Sequence, residues 1–238
     1  MRMARKNETR ANLKEKRKRN QTRQRNIWLG VISLVAVAVV AVLIALNSGP
    51  VGEIRDGKNV QRNQVDRNSM GDPNAPIKVE EFSDFQCPYC RLFADEEETA
   101  IIDNYVNTGK VYFTYTPFSF LDGNAQDGES KSAAQAAYCA ADQGKFWEYH
   151  DILFANQNSE NAGDFSDKRL IAFAEKLGLD MGKFRGCFNG NTYRQQVLDD
   201  LARGRSLGVS ATPTFFVNGT KVQGYVGLAE AIEAELAR

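Results

Sequence analysis

Cys87 and Cys90 stand two residues apart in FQCPYCRLF, residues 85–93, with Pro88 and Tyr89 between them. Two thiols at this spacing can hold a metal, close a redox-active disulfide, or simply pack. The other cysteines are Cys139 and Cys187, 48 residues apart. A four-cysteine zinc site normally joins two CxxC units, so zinc fits this pattern poorly. Covalent haem attachment wants CxxCH, and Arg91 follows Cys90. Two ordinary structural disulfides remain open. The redox reading accounts for more of the local sequence. A cysteine at a helix N-terminus faces unpaired N–H groups and the positive end of the dipole, and both stabilise a thiolate. Pro88 suits the first helical turn, where its missing N–H costs little. Cys90, one turn on, is in reach of Cys87 and is expected to be the more buried. Cys87 is then the attacking thiol, and Cys90 resolves the mixed disulfide.

This chemistry needs a strand to deliver the pair and a helix to begin at it. IKVEEFSDF, 77–85, alternates with Ile77, Val79 and Glu81 in one phase and reads as a strand. LFADEEETAIIDNYV, after the CPYC, reads as a helix, and VYFTYTPFSF, 111–120, as a second strand. Strand, helix, strand over some 40 residues is a βαβ unit with parallel strands. AAQAAYCAADQGKFWEYHDILF, LIAFAEKL and QQVLDDLARGRSLGV carry helical periods, the last stopped by Gly208. TFFVNGTKVQGY reads as two short strands around Asn218-Gly219, a hairpin signal. A last helix aligns Leu228, Ile232 and Leu236. The class is α/β: βαβ, a helical insertion over about 124–208, then ββα. His150, the single histidine, lies among Trp147, Tyr149 and Phe154 and reads as packing rather than as a base.

The rest of the chain is unlike this domain. Residues 1–26 hold eleven Lys or Arg and two Glu, leaving 19 basic and 28 acidic residues in the remainder, a net of −9. IWLGVISLVAVAVVAVLIAL, 27–46, has no charge and no polar stripe. At 1.5 Å per residue it spans the hydrocarbon core of about 30 Å. A cleaved signal peptide is the competing reading, but ALNSGPVG offers no good cleavage site. A retained anchor is favoured, with the basic arm in the cytoplasm and the rest outside. The arm reads as topology and contact with anionic headgroups; nucleic acid is not expected, since the arm has no aromatic before Trp28. Residues 47–75, polar and without a hydrophobic period, read as a flexible linker, so the folded domain is expected at 76–238.

EFSDFQCPYC, the order βαβ–insertion–ββα and ATPTFFVNG together resemble the thioredoxin fold. The helical insertion makes the resemblance strongest to DsbA-like thiol–disulfide oxidoreductases, in the membrane-anchored form of Gram-positive bacteria, over about residues 70–238. The resemblance implies that Thr212-Pro213 is the cis-proline loop facing the CxxC, where free backbone can pair with an extended substrate. It implies that Glu81, six residues before Cys87 and in the apolar phase of its strand, is a buried acid that moves a proton at Cys90. It also implies a structural Cys139–Cys187 disulfide in the insertion, closing a loop worth roughly 4 kcal/mol on the chain-entropy model; two free buried thiols are the alternative. Pro88-Tyr89 departs from the strongest oxidant of the family, which has histidine before the second cysteine. The same dipeptide occurs in glutaredoxins, with potentials of about −200 to −230 mV against about −120 mV for DsbA.

The implied function is a dithiol oxidase outside the cytoplasm that gives its Cys87–Cys90 disulfide to exported, unfolded proteins bearing cysteine pairs. A membrane quinone-linked partner would reoxidise it, and residues 27–46 would hold it in the bilayer. No metal, nucleotide or flavin site is evident. A reductase or isomerase is the first alternative; a non-enzymatic module that binds clients or partners is the second.

Overall fold

The structure, a computed structural model, describes residues 19, 23–42, 51–123, 125 and 127–238. Most of the basic arm, the end of the expected apolar span at 43–46 and the first residues of the expected linker lie outside these. The chain divides into two units, Met1–Pro50 and Val51–Arg238. In the first, helix α1 (Arg23–Val42) is long and apolar enough to cross a membrane. It begins one turn before the expected Ile27.

The second unit is built on a five-stranded sheet in the order β1-β3-β2-β4-β5. Central β2 (Ile77–Ser83) runs parallel to β3 (Val111–Pro117) and antiparallel to β4 (Thr214–Val217). The βαβ expectation holds. The alternation of β2 sends Ile77, Val79 and Glu81 into the main core. Its other face puts Phe82 in a smaller cluster with Phe118, Leu201 and Val209. β4 and β5 (Thr220–Gln223) join at Asn218-Gly219, whose φ values of 45° and 82° are those of a type I′ turn.

Helix α2 (Pro88–Glu96) follows β2 directly. The single helix expected beyond the CPYC is interrupted: the backbone kinks at Glu97 (φ −115°), α3 (Glu98–Ile101) restarts, and a π-turn over Ile102–Val106 ends it. The restart aims Glu98 inward, where it is buried and ion-paired. Among the described residues the insertion holds five helices: α4 (Glu129–Ala141), α5 (Phe146–Asn156), α6 (Asp167–Lys176), α7 (Met181–Asn189) and α8 (Arg194–Ser206). The long Ala-rich stretch splits into α4 and α5 at Gly144 (φ 69°). The sequence reading missed α7. Its two glycines blur the period, and only Phe184 and Phe188 are buried. The Asp180 carboxylate caps it by accepting from the Gly182 and Lys183 N–H groups, at 2.9 and 3.1 Å. Cys187 on α7 is disulfide-bonded to Cys139 on α4. Helix α9 (Leu228–Leu236) closes the fold through Leu228 and Ile232.

The expected linker is overturned where it is described. Residues 51–75 are a strap bound to the domain. Ser69–Met70 forms β1, antiparallel to β3. Arg55 and Asn156 exchange backbone and side-chain hydrogen bonds at 2.9 and 2.8 Å. The Asn68 amide donates to Tyr115 O at 2.7 Å, and the Arg62 guanidinium is buried against Asp151 and Glu98. Periodicity failed here because the strap is held by single polar anchors rather than by an apolar stripe.

At Gly57 the strap runs so close to α5 that a Cβ would lie 2.7 Å from Ile152 N. Gly57→Ala is therefore expected to lower unfolding stability by about 1–3 kcal/mol, as overpacking does. Gly186→Ala, in open space on α7, is expected to be neutral or stabilising by up to about 1 kcal/mol. Denaturant melts of the two variants check this; a free tether at 57 would make the first substitution silent.

Candidate active site

β2 ends at Ser83, and a tight loop carries the chain to Cys87, whose N–H donates to Asp84 O at 2.9 Å. Cys87 is the N-cap of α2 with extended backbone (φ −73°, ψ 123°), and Pro88 occupies the first turn. This is the position from which a sulfur meets the free N–H groups of a helix. Cys87 is 5 % exposed and Cys90, one turn inward, is 0 % exposed, while Tyr89 stands out at 62 %. Both cysteines are free thiols. Across from them Thr212-Pro213 is cis, and the Cys87 thiol donates to Thr212 O at 3.4 Å. Glu81 lies behind, 1 % exposed, between its ladder partners Tyr115 and Phe215. The residues singled out in the sequence thus converge: Cys87, Pro88, Tyr89 and Cys90 from the start of α2, Glu81 from β2, and Thr212-Pro213 from the loop before β4. Cys139 and Cys187 stand apart in the insertion.

The two sulfurs are electrostatically unlike. The Cys90 thiol donates to Cys87, and with the Thr212 hydroxyl and the N–H groups of Cys90 and Tyr89 it brings the Cys87 pKa down from 9.0 to about 6, against an opposing burial effect. Cys90 goes the other way. Burial first, then its hydrogen bond to Cys87 and the nearby charges of Cys87 and Glu81, hold its thiol well above the ordinary value. Glu81 is held well above the carboxylate range by burial, then by the Glu98 charge. Its Oε2 and the Tyr115 hydroxyl lack hydrogen-bond partners. The arrangement can keep a thiolate on Cys87 at neutral pH, hold the proton of Cys90, and offer a protonatable carboxyl behind it.

Sequence reading missed the polar cluster under this loop. The Asp84 carboxylate accepts from Ser130 Oγ at 2.6 Å, Gln86 N at 2.9 Å and Leu121 N at 3.1 Å. Gln86 Nε2 donates to Ser130 Oγ and to Asp122, at 2.8 and 3.2 Å. Asp122 accepts from the Ser130 and Lys131 N–H groups at the start of α4. The cluster ties the cysteine loop to the insertion. Burial lifts Asp84 from 3.8 to about 7, against these hydrogen bonds. The signal was there: Asp84 and Gln86 are polar residues flanking Phe85, in a segment that is otherwise buried. His150 packs, as read, against Phe85, Tyr115, Trp147 and Phe154. It also sits in an unforeseen ion cluster, with Nδ1 2.9 Å from Asp151 Oδ1.

Residues 63–234 match the family described as Thioredoxin. A Na(+)/H(+) antiporter NhaA 3 of Salinispora tropica is 34% identical over 170 residues, 71% of this chain and 24% of the antiporter. The chain thus spans about a quarter of the length of that relative. A probable disulfide bond formation protein D of Bacillus cereus is 27% identical over 213 residues, 88% of this chain and 96% of that protein. The oxidised crystal structure of BdbD from Bacillus subtilis superimposes with a TM-score of 0.64 at 24% identity, covering 77% of this chain and 100% of that one. At that identity the likeness speaks for the fold.

Two predictions follow from the charges. Alkylation of reduced Cys87 is expected to reach half its maximal rate near pH 6. Cys90→Ala should raise that midpoint by about one pH unit or more, since it removes a charge-assisted hydrogen bond worth about 1.5–3 kcal/mol. A rate-against-pH profile with iodoacetamide reads both. Asp84 binds its proton more tightly folded than unfolded, so its contribution to stability is full below 3.8 and is lost as pH rises through about 7. Urea melts across that window should show stability falling less steeply in Asp84→Asn than in the wild type.

Proposed function

The chain belongs to the thioredoxin family, and from that membership we propose that it is a DsbA-like thiol–disulfide oxidoreductase of Gram-positive type that works outside the cytoplasm as a dithiol oxidase of exported proteins. The observation that carries the reading is the asymmetry of the pair: a thiolate-prone Cys87 at the mouth of α2 in front of a buried, proton-holding Cys90. In the oxidised protein a substrate thiolate attacks the sulfur of Cys87. A substrate–Cys87 disulfide forms, and the Cys87–Cys90 bond breaks with its electron pair going to Cys90. Cys90 then needs a proton, which Glu81 is placed to give. The second substrate thiolate attacks its partner sulfur, the substrate disulfide forms, and Cys87 leaves as the thiolate that its surroundings favour. Two electrons pass to the enzyme, and a membrane quinone-linked partner takes them away. The backbone of the Thr212-Pro213 loop would hold the extended substrate beside Cys87. Exposed Tyr89, Leu92 and Val226, at 62, 39 and 84 %, supply apolar surface on the same helix and on the loop before α9.

In this reading α1 anchors the protein, the basic arm faces the cytoplasm, and the domain faces outward, where a structural disulfide such as Cys139–Cys187 persists. One observation favours the reverse direction: Pro88-Tyr89 is also the dipeptide of glutaredoxins, which are weaker oxidants.

Equilibration of the full chain with glutathione buffers tests the direction. A Cys87–Cys90 potential of about −200 mV or higher is expected; one near about −270 mV would replace the oxidase by an outward-facing reductase. With a substrate carrying one disulfide, the Cys87 thiolate of Cys90→Ala attacks it, a substrate thiolate leaves, and a mixed disulfide at Cys87 should be trapped on non-reducing gels, whereas Cys87→Ala should trap none. Glu81→Gln should slow turnover by up to about 10²-fold, the scale of a lost general acid.

A further inference from the structure

β2 ends at Ser83 and α2 begins at Pro88, so the carbonyls of Asp84 and Phe85 have neither a ladder nor a helix to satisfy them. Asp84 O accepts from the Cys87 N–H at 2.9 Å. Phe85 O is served from far along the chain: Gln157 Nε2 donates to it at 3.0 Å. Gln157 is 3 % exposed and is the C-cap of α5, where ψ turns to 131°. Its own carbonyl accepts from Arg91 Nη1 at 2.7 Å and from Arg55 Nη2 of the strap at 3.5 Å. Phe85 lies two residues before Cys87, and Arg91 directly follows Cys90. One residue of the insertion therefore grips the CPYC on both flanks.

The grip is reinforced on each side. The buried Phe85 ring stacks on Tyr115 at 5.0 Å and meets Phe154 at 5.3 Å. Phe154 stands one turn before Gln157, so the same end of α5 holds Phe85 by its ring and by its carbonyl. Arg91 is steadied by the Asp95 carboxylate, which accepts from its Nε at 3.2 Å. Its cation also suits the negative end of the α5 dipole. Beyond Gln157 the same loop reaches the residue before Cys87: the Asn161 N–H donates to Gln86 Oε1 at 2.5 Å.

We propose that Gln157 is a positioning residue of the cysteine pair: by holding Phe85 O with its amide and Arg91 with its carbonyl, it fixes Cys87 at the N-cap of α2. It acts through the loop before the pair and the helical turn after it. Position matters because the Cys87 sulfur is met by the N–H groups of Tyr89 and Cys90, contacts that a shift of the loop would lengthen. Without the Gln157 amide the buried Phe85 carbonyl loses its donor, and the loop must move to find another. The inference takes from the proposed function only that Cys87 is the attacking thiol, and it holds for either direction of electron flow.

The test is the pH profile of iodoacetamide alkylation at Cys87 in the reduced full chain in detergent, with the label located by peptide mass. Gln157→Met removes the donor at nearly constant length and exchanges one neutral side chain for another, so a moved midpoint reports position and not charge. It should raise the Cys87 midpoint by about half a pH unit or more, roughly a threefold fall in the acid dissociation constant. Gln157→Asn, whose amide stops one methylene short of Phe85 O, should raise it by as much, and decides alone if Gln157→Met fails to fold. Asp180→Ala, which removes the cap of α7 and leaves the cysteine loop untouched, should keep the wild-type midpoint although it lowers stability. A smaller rise, or a fall, in the Gln157 variants overturns the proposal. So does an equal rise in Asp180→Ala, because the midpoint would then follow loss of stability at large. The glutathione potential reads the proposed function separately: a low potential in the wild type together with a raised midpoint in Gln157→Met would remove the oxidase and leave the positioning role standing.

Discussion

The structure turns on one electrostatic constraint. A negative charge must be welcome on Cys87 and unwelcome one helical turn deeper on Cys90. The start of α2 meets both demands with one piece of backbone. Cys87 as N-cap receives N–H groups that a helix leaves unpaired, and Pro88 begins the helix there without wasting a donor. Cys90 points into the core, where desolvation keeps its proton on. The S–H of Cys90 in turn becomes a donor to Cys87. Each sulfur thereby makes the other more extreme, so the pair titrates as a unit with one easily ionised position.

That asymmetry also bears on direction. Reduction of a disulfide is favoured by whatever stabilises the thiolate it leaves behind. Thioredoxin, with a thiol pKa of about 7, is a reductant, and DsbA, at about 3.5, is a strong oxidant. A Cys87 at about 6 falls between them. Its stabilisation comes from the neighbouring thiol, the Thr212 hydroxyl and the helix N–H groups, with no histidine in the CxxC to add to it. A reduction potential between those two is what such a thiol implies.

The sequence carried the parts of this design that obey a period or a motif. The alternation of Ile77, Val79 and Glu81, the CPYC at a strand–helix junction, the Asn218-Gly219 turn and the Thr-Pro before β4 were all legible, and they place the thiols, the acid and the proline loop. What escaped has a common physical character. The strap, the Asp84–Gln86–Asp122 cluster and the Arg62–Glu98–Asp151 triad are polar groups held mainly by one another. Hydropathy patterns read such residues as surface or linker, because the partner that makes burial tolerable lies 36 to 101 positions away. Helix α7 escaped for a related reason: its cap and its disulfide compensate for a weak apolar face.

The strap is therefore less an appendage than a counterion. Undocking it would leave Glu98 and Asp151 buried beside each other without Arg62, a loss of the order of 3–5 kcal/mol for a broken buried pair. Such a cost keeps residues 51–75 in place far better than their thin apolar contribution would.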